Sequence, residues 1–399
     1  MSLSTTYSPL RAPRRLLLGP GPSMVAPRVY AAMSQPVVGH LDPFFFEITE
    51  QIRTLLGHVY STHNEFNMAM SGTGSSGMEA AVANFAEPGQ KFALLTNGFF
   101  GDRIGEMARR QGAQVVRLEK EWGRAFDPQE AREFIRRERP QVVAFVQAET
   151  STGVHNQAKP ICEAAHEVDA LVIADCVTSL GTMPVMVDEN GIDIAYSCTQ
   201  KGLSCPPGLS PITVSPRALE RRRARKSTVS SWYLDLLLLD TYFEGHRYHH
   251  TASATMFYAL REGLALIIEE GLEARWERHR TNHLAFVAGV EAMGLRMYVP
   301  EGQRLWALNT PRVPDGIDEL KVRQYLLQNS GIEIAGGFGP LAGQIFRIGT
   351  MGQGSTAEYV LLILRELEAA LKQQGFRPAG DGVVAAELAL SGLRPAVAK

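Results

Sequence analysis

One carboxylate and one lysine stand out in the stretch Leu171–Leu209, LVIADCVTSLGTMPVMVDENGIDIAYSCTQKGLSCPPGL. The apolar run Ala170–Ala174 ends on Asp175. A second run, Ile192–Tyr196, leads through Ser197, Cys198, Thr199 and Gln200 to Lys201. Apolar runs this short, bounded by turn residues, predict fully buried strands of a parallel sheet. Asp175 and Lys201 are then expected at or beyond the carboxyl ends of two strands, where open α/β sheets bind ligands. Each has a plainer reading when taken singly: Asp175 as a helix N-cap, Lys201 as a surface charge on a loop. The setting separates them from that reading. The chain has eight lysines against 32 arginines, and Lys201 alone sits among small residues, Cys and Pro.

Pyridoxal phosphate is a cofactor whose chemistry asks for this pair. A lysine amine binds its aldehyde carbon, and a carboxylate keeps its ring nitrogen protonated so that the ring draws electrons from a neighbouring carbanion. ADCVTSLG followed by SCTQKGLSCPPG resembles the cofactor region of the class V, fold-type I aminotransferases. Within that class it is similar to the alanine–glyoxylate, serine–pyruvate and ureidoglycine–glyoxylate aminotransferases. The similarity runs from LLLGPGPS at Leu16 to the helix after Arg347. It implies an α/β fold: a large cofactor-binding domain over residues 16–279 with a mostly parallel, seven-stranded type of sheet, preceded by an arm, 1–15. A smaller α+β domain covers 280–399. The apolar spacing of Phe257, Leu260, Leu264 and Ile267 predicts a long helix from about residue 255 that links the two.

The other site candidates follow in chain order. MAMSGTGSSGMEAAVANF predicts a strand over Asn67–Met70, a turn over Ser71–Gly77 and a helix over Met78–Phe85, whose first N–H groups favour an anion. The resemblance matches Thr73, Gly74 and Ser75 to the phosphate-binding turn; animal alanine–glyoxylate enzymes have His where Ser75 stands. It matches Phe100, after the strand Lys91–Thr96, to the aromatic that stacks on the pyridine ring, with Val177 on the other face and Gln200 helping to hold the phosphate. Ser151, in the hydroxyl cluster QAETSTG after the strand Val142–Val146, matches an active-site serine suited to the ring oxygen or the substrate carboxylate. Arg347 lies between Phe346 and Ile348 in a strand and points opposite to them. A guanidinium binds a carboxylate through two parallel hydrogen bonds, and the resemblance gives Arg347 the α-carboxylate of both amino acid and 2-oxo acid. Gly21 and His40 are further substrate positions that it implies. Tyr248-His249-His250-Thr251 resembles a motif that crosses a dimer interface, where Tyr248 and Thr251 reach the phosphate of the neighbour's cofactor. A homodimer with shared active sites is therefore expected. Two adjacent histidines without a partner carboxylate or cysteine are weak evidence for a metal, and none is expected.

Composition narrows the remaining classes. The 399 residues carry 40 basic and 42 acidic groups, a formal net charge of −2, which argues against a nucleic-acid footprint. The basic run Arg221–Lys226 reads as a solvated helix face. Cys162, Cys176, Cys198 and Cys205 form no CxxC pair, so a reducing compartment is expected. No apolar run approaches the roughly 18 residues of a membrane span, and the first residues lack a hydrophobic signal core. The expectation is a soluble, cytoplasmic protein without membrane partners. Substrate choice is less legible. Tyr248, Ala224–Ser227 and Tyr233–Asp235 lean towards the alanine–glyoxylate branch. Glu121–Gly123, Ala125–Pro128 and Phe338–Leu341 resemble the ureidoglycine–glyoxylate branch, which has Asn where Tyr248 stands and Gln where His40 stands. A lyase or a non-catalytic binding protein on the same fold is a further alternative. A desulfurase needs a cysteine on a mobile loop, and Cys198 and Cys205 flank Lys201 too closely for that.

Overall fold

The computed structural model describes residues 8–392. Seven strands form the central sheet: β1 Phe66–Ser71, β2 Lys91–Thr96, β3 Gln114–Glu119, β4 Val142–Val146, β5 Leu171–Asp175, β6 Ile194–Tyr196 and β7 Leu209–Val214. Their spatial order is β1-β7-β6-β5-β4-β2-β3. β7 runs antiparallel to both neighbours and the other pairs are parallel. The uninterrupted apolar runs have a physical cause: helices cover both faces. Ala93, Leu95, Val143 and Phe145 pack into one cluster with Phe45, Ile161 and Phe257. Phe92, Leu94, Ala144 and Val146 point the other way and pack with Met78, Val82 and Ile104. The alternation of two along each strand thus feeds two cores at once.

The helix after β1 begins at Gly74, not Met78, and runs to Phe85. Its small first-turn residues are what the packing admits: a Cβ on Gly77 would run into the side chain of Ser210 on β7. The long helix expected from about residue 255 is two helices, Ala254–Glu270 and Leu272–Ala292. Gly271, at φ +85°, breaks the path, a conformation that costs glycine little and other residues more.

Beyond residue 280 the strands are two to four residues long. Leu308–Asn309, Phe346–Gly349 and Ala335–Gly336 form an antiparallel sheet in that spatial order. Segment 295–299 contributes one isolated bridge, Met297 to Pro311. Proline supplies no N–H to continue a ladder there. Ile332–Glu333 pairs in parallel with Leu16–Leu17, so the first strand of the chain is tied to this C-terminal layer and not to the central sheet. Leu18, Phe286, Phe346, Ile348 and Leu364 share one core. Phe346 and Ile348 thereby fix the side of the strand on which Arg347 must emerge.

Candidate active site

β5 ends on Asp175, which is 3 % exposed. Its Oδ1 accepts the Val177 N–H at 2.9 Å and its Oδ2 accepts the Tyr196 hydroxyl at 2.8 Å. Burial pushes the carboxyl up to about 7 in spite of these donors. The loop after β6 carries Gln200 and Lys201. Burial holds the Lys201 ammonium below its ordinary value. Its Nζ donates to the Pro20 carbonyl. The segment of Pro20 is held on this loop by Ser23: its Oγ donates to the Lys201 carbonyl at 2.7 Å and its N–H to the Gln200 carbonyl at 2.9 Å.

Gly21 completes that contact. It sits at φ +113°, and a Cβ there would stand 2.5 Å from Lys201 Nζ. Gly21→Ala is expected to cost on the order of 1–3 kcal/mol through backbone strain and to push Lys201 aside. Thermal unfolding and activity report the two effects. A variant as stable and as active as the parent would mean that this loop does not confine the lysine.

Thr73, Gly74, Ser75, Phe100, Asp175, Val177, Gln200 and Lys201, all expected from the sequence, line one cleft. Met78, Arg103, Val146, Ala148, Thr150 and Thr178 line it with them. Thr73 is the N-cap of the helix Gly74–Phe85 and makes no side-chain cap hydrogen bond, so first-turn N–H groups are left for a ligand. Arg347 is 4 % exposed. Its Nε donates to the Gly336 carbonyl at 2.6 Å and its Nη1 to the Thr150 carbonyl at 3.3 Å. Its guanidinium lies 3.9 Å from the Phe338 ring centroid. Burial lowers its pKa to about 10, which leaves it charged at neutral pH.

Gly21 and Arg347 border the cleft through Lys201 and Thr150 without lining it, and four other expected residues stand elsewhere. Ser151 is buried and its hydroxyl donates to Glu149 Oε1 at 2.6 Å, and its neighbour Thr150 takes the place on the cleft wall. Tyr248 is 64 % exposed and Thr251 is exposed as well. His40 packs beside Tyr248, with ring centroids 5.3 Å apart. Between them, His249 and His250 are buried, Nδ1 to Nδ1 at 2.9 Å, with His250 Nε2 3.1 Å from Ser71 Oγ. That pair ties the 248–251 segment to the end of β1. Among the described residues no group of three or more metal-ligating side chains occurs.

Glu149 was not singled out from the sequence. It is fully buried and accepts the N–H groups of Phe100 and Gly101 at 3.1 and 3.2 Å, at the start of the helix Phe99–Arg110. Burial raises its pKa. It fixes the backbone that carries Phe100, and a Cβ on Gly98 would strike it. The signal was present: like Asp175, it is a lone carboxylate after a buried strand.

The residues fit pyridoxal phosphate on the structure's own terms. Thr178 Oγ1 and Gln200 Oε1 are buried without a hydrogen-bond partner, and both residues line the cleft. Buried polar atoms of this kind are costly unless something satisfies them. Asp175 is buried with two neutral donors and forms no salt bridge among the described residues, and a protonated ring nitrogen would give it a cationic partner. An uncapped helix start offers donors to a phosphate.

The chain is similar to known proteins over most of its length. The chain is 42 % identical over 381 residues to the (S)-ureidoglycine–glyoxylate transaminase of Bacillus subtilis, covering 91 % of this chain and 92 % of that one. It is 40 % identical over 370 residues to the alanine–glyoxylate aminotransferase of Drosophila melanogaster, covering 91 % and 94 %. The crystal structure of the alanine–glyoxylate aminotransferase from Nostoc sp. superposes with a TM-score of 0.91 at 44 % identity, covering 92 % of this chain and 98 % of that one. The model of the family described as aminotransferase class-V matches residues 17–345, a span that holds Lys201, Asp175 and the phosphate-type turn, and the chain belongs to that family.

Proposed function

We propose that the protein uses pyridoxal phosphate to move an amino group from a small amino acid, alanine or serine, to glyoxylate or pyruvate by a ping-pong mechanism. The observation that carries the reading is a buried arginine, Arg347, whose backbone partner Thr150 lines the same cleft as Lys201 and Asp175. The bound cofactor supplies an aldehyde carbon to receive the amino group and an electron-poor ring to stabilise the carbanion. Asp175 holds the ring nitrogen protonated. Phe100 and Val177 confine the ring, while Thr73, Gly74, Ser75 and Gln200 hold the phosphate. Lys201 Nζ takes the proton from the substrate Cα as a general base, and burial, which lowers its pKa, favours that task. Arg347 clamps the carboxylate that both substrates share.

A second reading, (S)-ureidoglycine as donor to glyoxylate, is kept in view by the similarity to both groups of relatives, 42 % and 40 % identity. The adjacency of His40 and Tyr248 favours the first reading. The two positions at which the chain departs from the ureidoglycine branch meet in one place.

A panel of amino donors against glyoxylate and pyruvate separates the readings. Turnover of alanine or serine with parallel double-reciprocal lines is expected. Turnover of (S)-ureidoglycine alone would overturn the donor assignment.

The homodimer belongs to the same proposal. Leu41, Phe44, Trp232, Tyr233, Leu238 and Tyr248 are exposed apolar or aromatic side chains, the kind of surface that marks an interface. Tyr248 and Thr251 then serve the neighbour's cofactor. Sedimentation at assay concentration is expected to give a dimer, and an active monomer would remove both residues from the site. No helix among the described residues is long and apolar enough to cross a membrane. The four cysteines are free and buried, which supports a reducing compartment, and we place the enzyme in the cytoplasm.

A further inference from the structure

Arg103 lies in the first turns of the helix Phe99–Arg110 and lines the cleft with Thr73, Gly74, Ser75 and Phe100. Its guanidinium carbon stands 5.1 and 5.2 Å from the ring centroids of Phe99 and Phe100. Its Nη1 donates to Ser75 Oγ at 3.1 Å. The other charges of this helix are matched: Asp102 pairs with Arg117, and Glu106 takes both Arg109 and Arg110. Arg103 has no carboxylate partner among the described residues.

A guanidinium has five N–H donors, and a bond to a neutral hydroxyl leaves its charge uncompensated. The second polar feature of the same wall has the same sign, because the helix Gly74–Phe85 presents its uncapped, positive end there. The nearby carboxylates are committed elsewhere, Asp175 to Val177 and Tyr196, and Glu149 to Ser151, Phe100 and Gly101. Two positive features that face one space without a matching side chain call for an anion. Cation–π contact with two rings holds the guanidinium in place, so little of the side chain's freedom is lost on binding.

We infer that Arg103 is a ligand of the cofactor's phosphate group, acting with Ser75 and the start of the helix Gly74–Phe85. The inference rests on the pyridoxal phosphate reading of the cleft and adds to it a charged phosphate ligand on the phenylalanine side.

The test compares pyridoxal phosphate with pyridoxal, which lacks the phosphate, by equilibrium titration of the parent and of Arg103→Met and Arg103→Lys. Met keeps an unbranched stem to lie on the rings and removes the charge. Arg103→Met is expected to weaken pyridoxal phosphate roughly ten- to a hundredfold, the loss of a charged hydrogen bond, and to leave pyridoxal almost unchanged. Arg103→Lys is expected to recover part of the difference, since it keeps the charge without the fork. Inorganic phosphate is expected to compete with pyridoxal phosphate for the parent and to compete less well for Arg103→Met. Equal weakening of both ligands would make Arg103 a support for Phe100 or for the turn, and would overturn the inference while leaving the cofactor reading intact. A parent protein that binds neither ligand would overturn the cofactor reading and this inference with it.

Discussion

Lys201→Ala is expected to give a folded protein that has lost transamination. The lysine sits on a loop whose backbone is anchored without its side chain: Ser23 bonds the carbonyls of Gln200 and Lys201, and the Cys205 N–H donates to the Thr199 carbonyl. Removing the amine therefore removes chemistry and not architecture. Proton transfer by a positioned base is worth roughly 10²–10⁴-fold, and loss of the covalent attachment adds to that. The loss is expected in kcat. Thermal unfolding is expected to change little, because among the described residues Nζ donates only to the Pro20 carbonyl and burial already disfavours its charge. Borohydride reduction of the cofactor-loaded parent, followed by peptide mapping, should label Lys201. A label on Lys91, Lys120 or any other lysine would take Lys201 out of the mechanism, whatever the activity of the variant.

Sequence patterns revealed the parts of this site that sit at the ends of apolar runs. Asp175 ends β5, Lys201 follows β6, and Arg347 alternates with Phe346 and Ile348; period gives their positions, and the family resemblance gives their roles. Thr73, Gly74 and Ser75 were legible through the resemblance, since small residues between a strand and a helix also serve as a plain tight turn. What failed was resolution within a cluster and across distance. In Glu149-Thr150-Ser151 three polar side chains follow one another, and only the fold decides that Ser151 turns to Glu149 while Thr150 faces the cleft. Arg103 is one of 32 arginines on a helix with four charged neighbours. Its meaning depends on which of its neighbours have partners, and that is a property of the structure. The pairing of Leu16–Leu17 with Ile332–Glu333 joins segments more than 300 residues apart, which no local pattern encodes. It matters for function, because the same N-terminal segment goes on to place Pro20 and Gly21 against Lys201.

Arg347→Ala is expected to damage both half-reactions alike. Amino acid and oxo acid carry the same carboxylate, and the arginine has one face left to bind it. Nε is taken by the Gly336 carbonyl at 2.6 Å, so a fork through Nε is closed. Nη2 and the second hydrogen of Nη1 remain, and a carboxylate can be gripped end-on by these two parallel N–H groups. Phe338 over the guanidinium and the surrounding burial strengthen that grip by excluding water. Loss of a bidentate, charge-assisted contact is worth on the order of 2–4 kcal/mol, or roughly thirty- to a thousandfold in kcat/KM. Arg347→Lys should recover only part of this, since an ammonium lacks the planar fork and cannot serve the Gly336 carbonyl and a substrate from the same positions. Cofactor absorbance should survive in both variants, because the bonds of Arg347 run to Gly336 and Thr150 and not to the helix start at Thr73. The discriminating measurement is a small amine donor without a carboxylate. Its slow reaction with the loaded enzyme should fall much less than that of alanine. Equal losses for the two donors would mean that Arg347 supports the wall between Thr150 and Gly336, and the substrate pocket would have to be sought elsewhere on the cleft.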